Sequence, residues 1–291
     1  MTIKTILAAA SGGTASDGTL ELACRFAQRF GAHLEALHVR PDPRDLVLAS
    51  SDGMGLPLSQ EFIDLFIRDT EVTAKKIKAS FEAITVRHQL SQIDTPSKHM
   101  PTSVEASASW RDETGHAGTL VSRRGRFFDL VVLGRSGRVI DEPHSDVVEQ
   151  TLIGSGRPVL LAPAKPPASV GDFIAVGWNG SAEAIRAVVG ALPLIEKSRT
   201  VSIITIGEKH RESGTALAEY LAWRGVKAQT RLAPAVTGTG AGQQLLSAAR
   251  DEDADLLVMG GYGHMPWREF FFGGATREVI GVSLLPLLLT H

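Results

Sequence analysis

Cysteine is nearly absent: Cys24 stands alone, so no disulfide can close within the chain. Its neighbours are apolar and helical in pattern, which marks a buried, inert thiol rather than a reactive one. No apolar run approaches the ~20 residues needed to cross a bilayer. The opening stretch, Met1 to Ala10, has one lysine and a short apolar run that meets Ser11-Gly12-Gly13. It reads as a first buried strand, not a secretion signal. A cytoplasmic setting is therefore expected, with no membrane partner. An excess of positive charge is missing too: 30 basic residues face 32 acidic ones, for a formal net charge of -2. Nothing here would draw in nucleic acid by counterion release. There is no Gly-x-x-x-x-Gly-Lys-Ser/Thr run and no His-x-Gly-His pair, so a Walker-type site and a nucleotidyl-transferase signature are both lacking. The histidines are scattered and none pairs with another at helical i+4 spacing, so no metal site is expected.

What is present is a repeat. The 291 residues suggest about two domains. Asp129-Leu-Val-Val-Leu-Gly134-Arg-Ser-Gly137 matches Asp255-Leu-Leu-Val-Met259-Gly260-Gly-Tyr-Gly263: an acidic start, an apolar run, then Gly-x-x-Gly. Each copy opens on a similar strand (6–10 and 173–177) and closes on another (157–163 and 285–291). Between them, Pro166-Pro167 can continue neither a helix nor a central strand. The expected organisation is a first domain over 1–163, a linker over 164–171 and a second domain over 172–291. The first copy is longer, with its excess between the second and fourth strands, at about residues 40–128.

The apolar runs are short and continuous, as in strands covered on both faces. In the second copy, strands are expected at 173–177, 201–206, 226–231, 255–260 and 285–289. Helices fall between them: one from Ala182, capped by Ser181, one over 214–224 and one over 241–250. Thr19 to Ala27 is helical in the first copy, with Leu20, Ala23 and Ala27 on one face. Strands alternating with helices define an α/β fold of two tandem doubly wound, Rossmann-like domains. Such sheets bind ligands beyond the carboxyl ends of their strands. A long helix near 59–83, with Phe62, Leu65, Phe66 and Val72 along one side, covers its domain or meets a partner. Residues 91–103 read as a mobile loop. His38 ends an apolar strand and reads as packed.

At the ligand-binding end of the second copy, Gly260-Gly261-Tyr262-Gly263 is followed, nine residues on, by Gly273-Gly274-Ala275-Thr276, which opens a helix. Glycine lets backbone N–H groups approach a phosphate closely, and a helix N-terminus adds unpaired N–H groups and partial positive charge. His264, Arg268 and Arg277 supply further donors, and Thr276 a hydroxyl. The bland alternative is a tight strand-to-helix connection. The block from Trp267 to Phe272, with four aromatics in six residues, reads as packing against a partner domain or subunit, or else as a lid.

This Gly-x-x-Gly, nine residues, Gly-plus-small-residue pattern is similar to the nucleotide signature of universal stress proteins, and the resemblance spans essentially the whole chain. It implies five parallel strands per domain in the order 3-2-1-4-5, with domains pairing through their final strands as an internal pseudo-dimer or a homodimer. It also implies ATP or another adenine nucleotide, with or without magnesium, held by Gly177, Asn179, Gly180, Ser181, Ile206, Met259, Gly260, Gly263, His264 and residues 273–276. Two positions depart from the pattern. Gly274 stands where Ser or Thr is usual, and Asn179 stands where an acid is usual. In the first copy Ser11, Val39, Gly134 and Gly137 correspond, but the second glycine cluster is missing. Asp141, Glu142 and Asp146 instead put carboxylates where phosphate would sit, so this site reads as degenerate and its two glycines as turn residues. Ser11-Gly12-Gly13-Thr14-Ala15-Ser16 resembles the loop of ATP pyrophosphatases without its aspartate, and a plain turn is the simpler reading. Three functions stay open: a nucleotide-binding stress-response regulator with an unknown protein client and no catalytic residues, a slow ATPase or adenylyl transferase using Glu269 or Glu278, and a nucleotide-free scaffold.

Overall fold

A computed structural model describes residues 2–43, 59–94, 105–135, 142–261 and 274–291. The first half runs β1 (Thr5–Ala9), α1 (Gly13–Phe30), β2 (His33–Arg40), α2 (Gln60–Arg87), β3 (Ser91–Gln92), β4 (Ser107–Thr114), α3 (Ala117–Gly125), β5 (Leu130–Gly134), α4 (Glu142–Ser155) and β6 (Val159–Ala162). The second runs β7 (Phe173–Gly177), α5 (Ala182–Ile195), β8 (Thr200–Ile206), a 3-10 turn (Glu208–His210), α6 (Arg211–Ala222), β9 (Ala228–Ala233), α7 (Ala241–Asp251), β10 (Leu256–Gly260), α8 (Gly274–Val282) and β11 (Leu287–Thr290).

All eleven strands join one sheet in the order β3-β4-β2-β1-β5-β6-β11-β10-β7-β8-β9. The second half has the expected five strands in 3-2-1-4-5 order; the first has the same order with a sixth, two-residue strand, β3, added outside β4. All the pairings are parallel except that of β6 with β11. There the two halves meet antiparallel, Leu160 opposite Leu288. The final strands thus pair inside the chain.

The strand sequences explain the burial. Ile6 and Ala8 face one hydrophobic cluster and Leu7 the other. The first cluster is closed by α1, α2, α5 and α6 through side chains such as Phe26, Phe81, Val188 and Leu221. The second is closed by α3, α4, α7 and α8 through Val121, Leu152, Leu245 and Val279. A sheet covered on both faces needs apolar residues at every position, and that is why β5 and β10 read as unbroken runs. Cys24 lies in the first cluster, with its thiol pushed up to about 12 by burial and by the Glu21 charge. His38 is buried, its Nδ1 2.7 Å from the Ala10 carbonyl oxygen.

The acidic start of the repeated motif has a structural role. Asp129 accepts from the amides of Lys4 and Thr5, at 2.8 and 3.0 Å. Asp255 accepts from those of Gly171, Asp172 and Phe173, at 2.8, 3.2 and 3.1 Å. Asp129 fixes the start of β1 to that of β5, and Asp255 the start of β7 to that of β10.

Several boundaries differ from expectation. The strand expected at 226–231 is Ala228–Ala233, because the Val226 amide is used to close α6 on Leu221. The helix expected at 214–224 starts at Arg211, behind the 3-10 turn. Ser91 and Gln92, read as loop, pair with Ser107 and Ala108; 95–103 lie outside the described residues. The long helix forms with Ser59 as its cap. Its buried side chains lie at Ala74 and beyond, while Phe62, Leu65 and Val72 are exposed.

One contact ties the halves at the carboxyl end of β5. Arg135 donates to the carbonyls of Ile280 and Leu285, both at 3.2 Å, so a cation from the first half caps the C-terminus of α8. Burial lowers its pKa to about 10, which leaves it charged at neutral pH.

Candidate functional site

The second half brings β7 and β10 side by side, with Gly177 opposite Met259. Beyond their ends the chain enters α5 from one strand and the 260–273 connection from the other. Gly260 lies so close to the first turn of α5 that an added Cβ would sit 2.7 Å from the Ala184 nitrogen and the Glu183 carbonyl carbon. Gly177 makes room for Leu245 in the same sense, at 2.7 Å. Ile206 ends the neighbouring strand β8, partly buried. Gly180 has a φ of +71° and lies beside His210 and Ser213, a conformation that side chains beyond hydrogen disfavour.

The polar residues are partly committed. The Asn179 side-chain oxygen accepts from the Ser181 amide at 3.1 Å, and the Ser181 hydroxyl caps α5 by accepting from the Ala184 amide at 3.2 Å. The Asn179 side chain also carries two amide hydrogens, and the residue is exposed. Across the mouth, α8 opens at Gly274, around which an added Cβ would meet nothing within 4 Å among the described residues. Ala275 is half-buried and Thr276 buried. Gly263, His264 and Gly273 lie outside the described residues, as do Arg268, Glu269 and the Trp267–Phe272 block.

Two carboxylates flank this mouth. Glu278, a candidate for hydrolytic chemistry, accepts from the Gly242 amide at 3.0 Å and so caps α7. Glu183 was not singled out by sequence. One of its oxygens takes a hydrogen bond from Arg186 at 2.8 Å, and the other is buried with no hydrogen-bond partner among the described residues. Its own backbone N–H, then Ser181 and Arg186, hold its carboxyl below the usual range. No group of three or more His, Cys, Asp or Glu side chains placed to hold a metal occurs among the described residues.

The first half has an opening at the equivalent place. A cavity of about 500 Å³ lies beyond β1, β2 and β5, and Ser11, Val39 and Gly134 all line it. Gly134 therefore borders a real space besides making its turn. Gly137 and Asp141 lie outside the described residues, while Asp146 is exposed and lines the cavity. Sequence reasoning missed an Ala-Gly pair that opens the helix over each site, Ala117-Gly118 and Ala241-Gly242. Both glycines admit the following helix: added Cβ atoms would meet Gln150 at 2.6 Å and the Ala275 oxygen at 2.7 Å.

No protein-family model matches the chain. It is similar to universal stress protein Slr1230 of Synechocystis sp., 22% identical, over 98% of this chain and 99% of the relative. Among solved structures it is similar to a universal stress protein of Archaeoglobus fulgidus, with a TM-score of 0.69 at 16% identity, over 98% and 97% of the two chains. A putative universal stress protein of Pseudomonas aeruginosa gives 0.56 at 15% identity, over 99% and 93%. The structural likeness shows a shared fold, and the resemblance to universal stress proteins runs along the whole chain.

Proposed function

We propose that the chain is a universal stress protein whose second half binds an adenine nucleotide, ATP or AMP, with or without magnesium, and that occupancy alters its conformation or its choice of a protein client. The observation that carries this reading is the mouth between β7 and β10, where in-register strands end in Gly177 and Gly260 and α8 opens onto it at an uncrowded Gly274. Backbone N–H groups at a helix start with no side chain over them suit a phosphate. The Asn179 amide and the end of β8 at Ile206 suit the adenosine end. Glu278 is held by α7, which favours a binding protein over a hydrolase. No helix among the described residues is long and apolar enough to cross a membrane, in keeping with a cytoplasmic regulator.

Mass spectrometry of nucleotide retained by the purified chain, with calorimetric titration of ATP, tests this reading. Gly274→Val places a side chain where an added Cβ meets no described residue within 4 Å, so the fold should survive while ATP affinity falls at least about tenfold, or ~1.4 kcal/mol. Gly263→Val should act in the same direction. No retained nucleotide and no heat from the parent chain would leave the scaffold reading in its place.

A further inference from the structure

The first-half cavity has a chemistry of its own. Its volume of about 500 Å³ falls within the roughly 300–1,000 Å³ typical of small-molecule sites. Leu37, Val39, Val121, Leu133 and Val148 form aliphatic walls drawn from both strands and helices. Among the described residues no lysine or arginine lines it, Asp146 is its one carboxylate and His116 its one imidazole. At the helix start that borders it, His116 caps α3, its Nδ1 accepting from the Thr119 amide at 3.4 Å. A triphosphate would meet greasy walls and a negative charge. The second half differs at the matching place: Gly177 stands for Ala9, and Leu245 packs against it where Val121 stands in the first half.

We propose that this cavity is a second binding site, for a small apolar molecule bearing a positively charged, hydrogen-bond-donating group, of which an aromatic amine is the type. The apolar body fills the space between Leu37, Val121 and Leu133, and the ammonium meets the Asp146 carboxylate at the mouth. The assignment goes beyond the nucleotide reading and does not need it, since the two openings belong to different halves of the sheet.

The test is calorimetric titration of the full chain with 2-naphthylmethylamine and with 2-naphthoate, which share one ring body and carry opposite charges. The amine should bind once per chain and the carboxylate at least about tenfold more weakly, as expected when a ligand charge faces a like charge. Saturating ATP should leave the amine titration unchanged. Val121→Trp should abolish amine binding by filling the space, with circular dichroism to confirm folding. Asp146→Asn alters an exposed side chain and should bring the two affinities together even if the tryptophan variant does not fold. No amine binding, equal binding of both probes to the parent chain, displacement by ATP, or an unchanged preference in Asp146→Asn would overturn the proposal. A loss of ATP binding in Gly274→Val with amine binding intact would keep the two sites separate.

Discussion

The two halves share a strand order and differ where their strands end. Asp129 and Asp255 make the same contact in each, and β6 mirrors β11 across the antiparallel seam. Beyond the carboxyl ends the resemblance stops. Arg135 and Gly261 occupy the same place, each sending its amide to the last strand, to Ala162 and Thr290, both at 2.9 Å. Only the first also carries a guanidinium, and that side chain crosses to the other half. His116 caps α3, whereas Gly240 stands at the start of α7 with no side chain to offer. The scaffold tolerates one solution at each strand start, while the loop ends are free to take different chemistry.

The comparison can be broken most severely at Gly260. Gly260→Val puts a branched side chain against the backbone of Glu183 and Ala184, which cannot retreat without moving α5. A loss of about 4 kcal/mol is expected in denaturant unfolding, against almost none for Gly274→Val. Equal effects would mean that the mouth of the second half is not built around that close approach.

Next in size is Arg135. Arg135→Met removes the cap from the Ile280 and Leu285 carbonyls in a partly buried seam. About 3 kcal/mol should be lost, with Lys restoring part of it, since an ammonium cannot reach two carbonyls as a planar fork does. Gly261→Arg, at the matching position, should give no gain in stability. A neutral Arg135→Met would show that the β6–β11 pairing and the Arg29 contacts with Val170, Gly171 and Lys197 hold the halves without this cap.

The paired aspartates sharpen the comparison. Asp255 is buried and accepts three amides, Asp129 two. Asp255→Ala should cost about 2 kcal/mol and Asp129→Ala about 1 kcal/mol by thermal unfolding. The reverse order would mean that the count of orphaned amides does not set the cost.

These contacts mark the limit of what could be read from sequence. The central strands and the repeat were legible because strands covered on both faces must be apolar throughout, whereas the strand order was implied only by the resemblance to universal stress proteins. The Ser181 cap was legible because its role is local. Ser91–Gln92 was not, since two exposed polar residues at a sheet edge carry no pattern. The acidic start of the motif was visible at Asp129 and Asp255, but its partners lie 82 to 125 residues away. Arg135 acts on a helix of the other half, which no spacing rule reports. Gly177 reads as a ligand glycine and also makes room for Leu245, a fact of packing. The first-half cavity depends on the volumes of facing helices, so Ser11, Val39 and Gly134 could be placed together but not shown to surround space.

The smallest effect concerns the outer edge of the first half, where β2 meets β4. His33 bridges the hydroxyls of Ser107 and Ser109, at 2.9 and 3.0 Å; the second half has Thr200 at the start of β8 instead. Burial lowers the His33 pKa below 6.5, against a smaller opposing pull from Glu35. A folded-state value below the unfolded one means that the unfolded chain binds more protons, so stability rises with pH through that interval. The His33 contribution is therefore complete above about 6.5 and declines as pH falls toward the folded value. His33→Gln keeps a hydrogen-bonding side chain without a titrating one, and should flatten this part of the profile by a few tenths of a kcal/mol. Unfolding followed between pH 7 and 5, on parent and variant, measures the difference. Parallel profiles would place the acid sensitivity elsewhere and remove this asymmetry between the two edges.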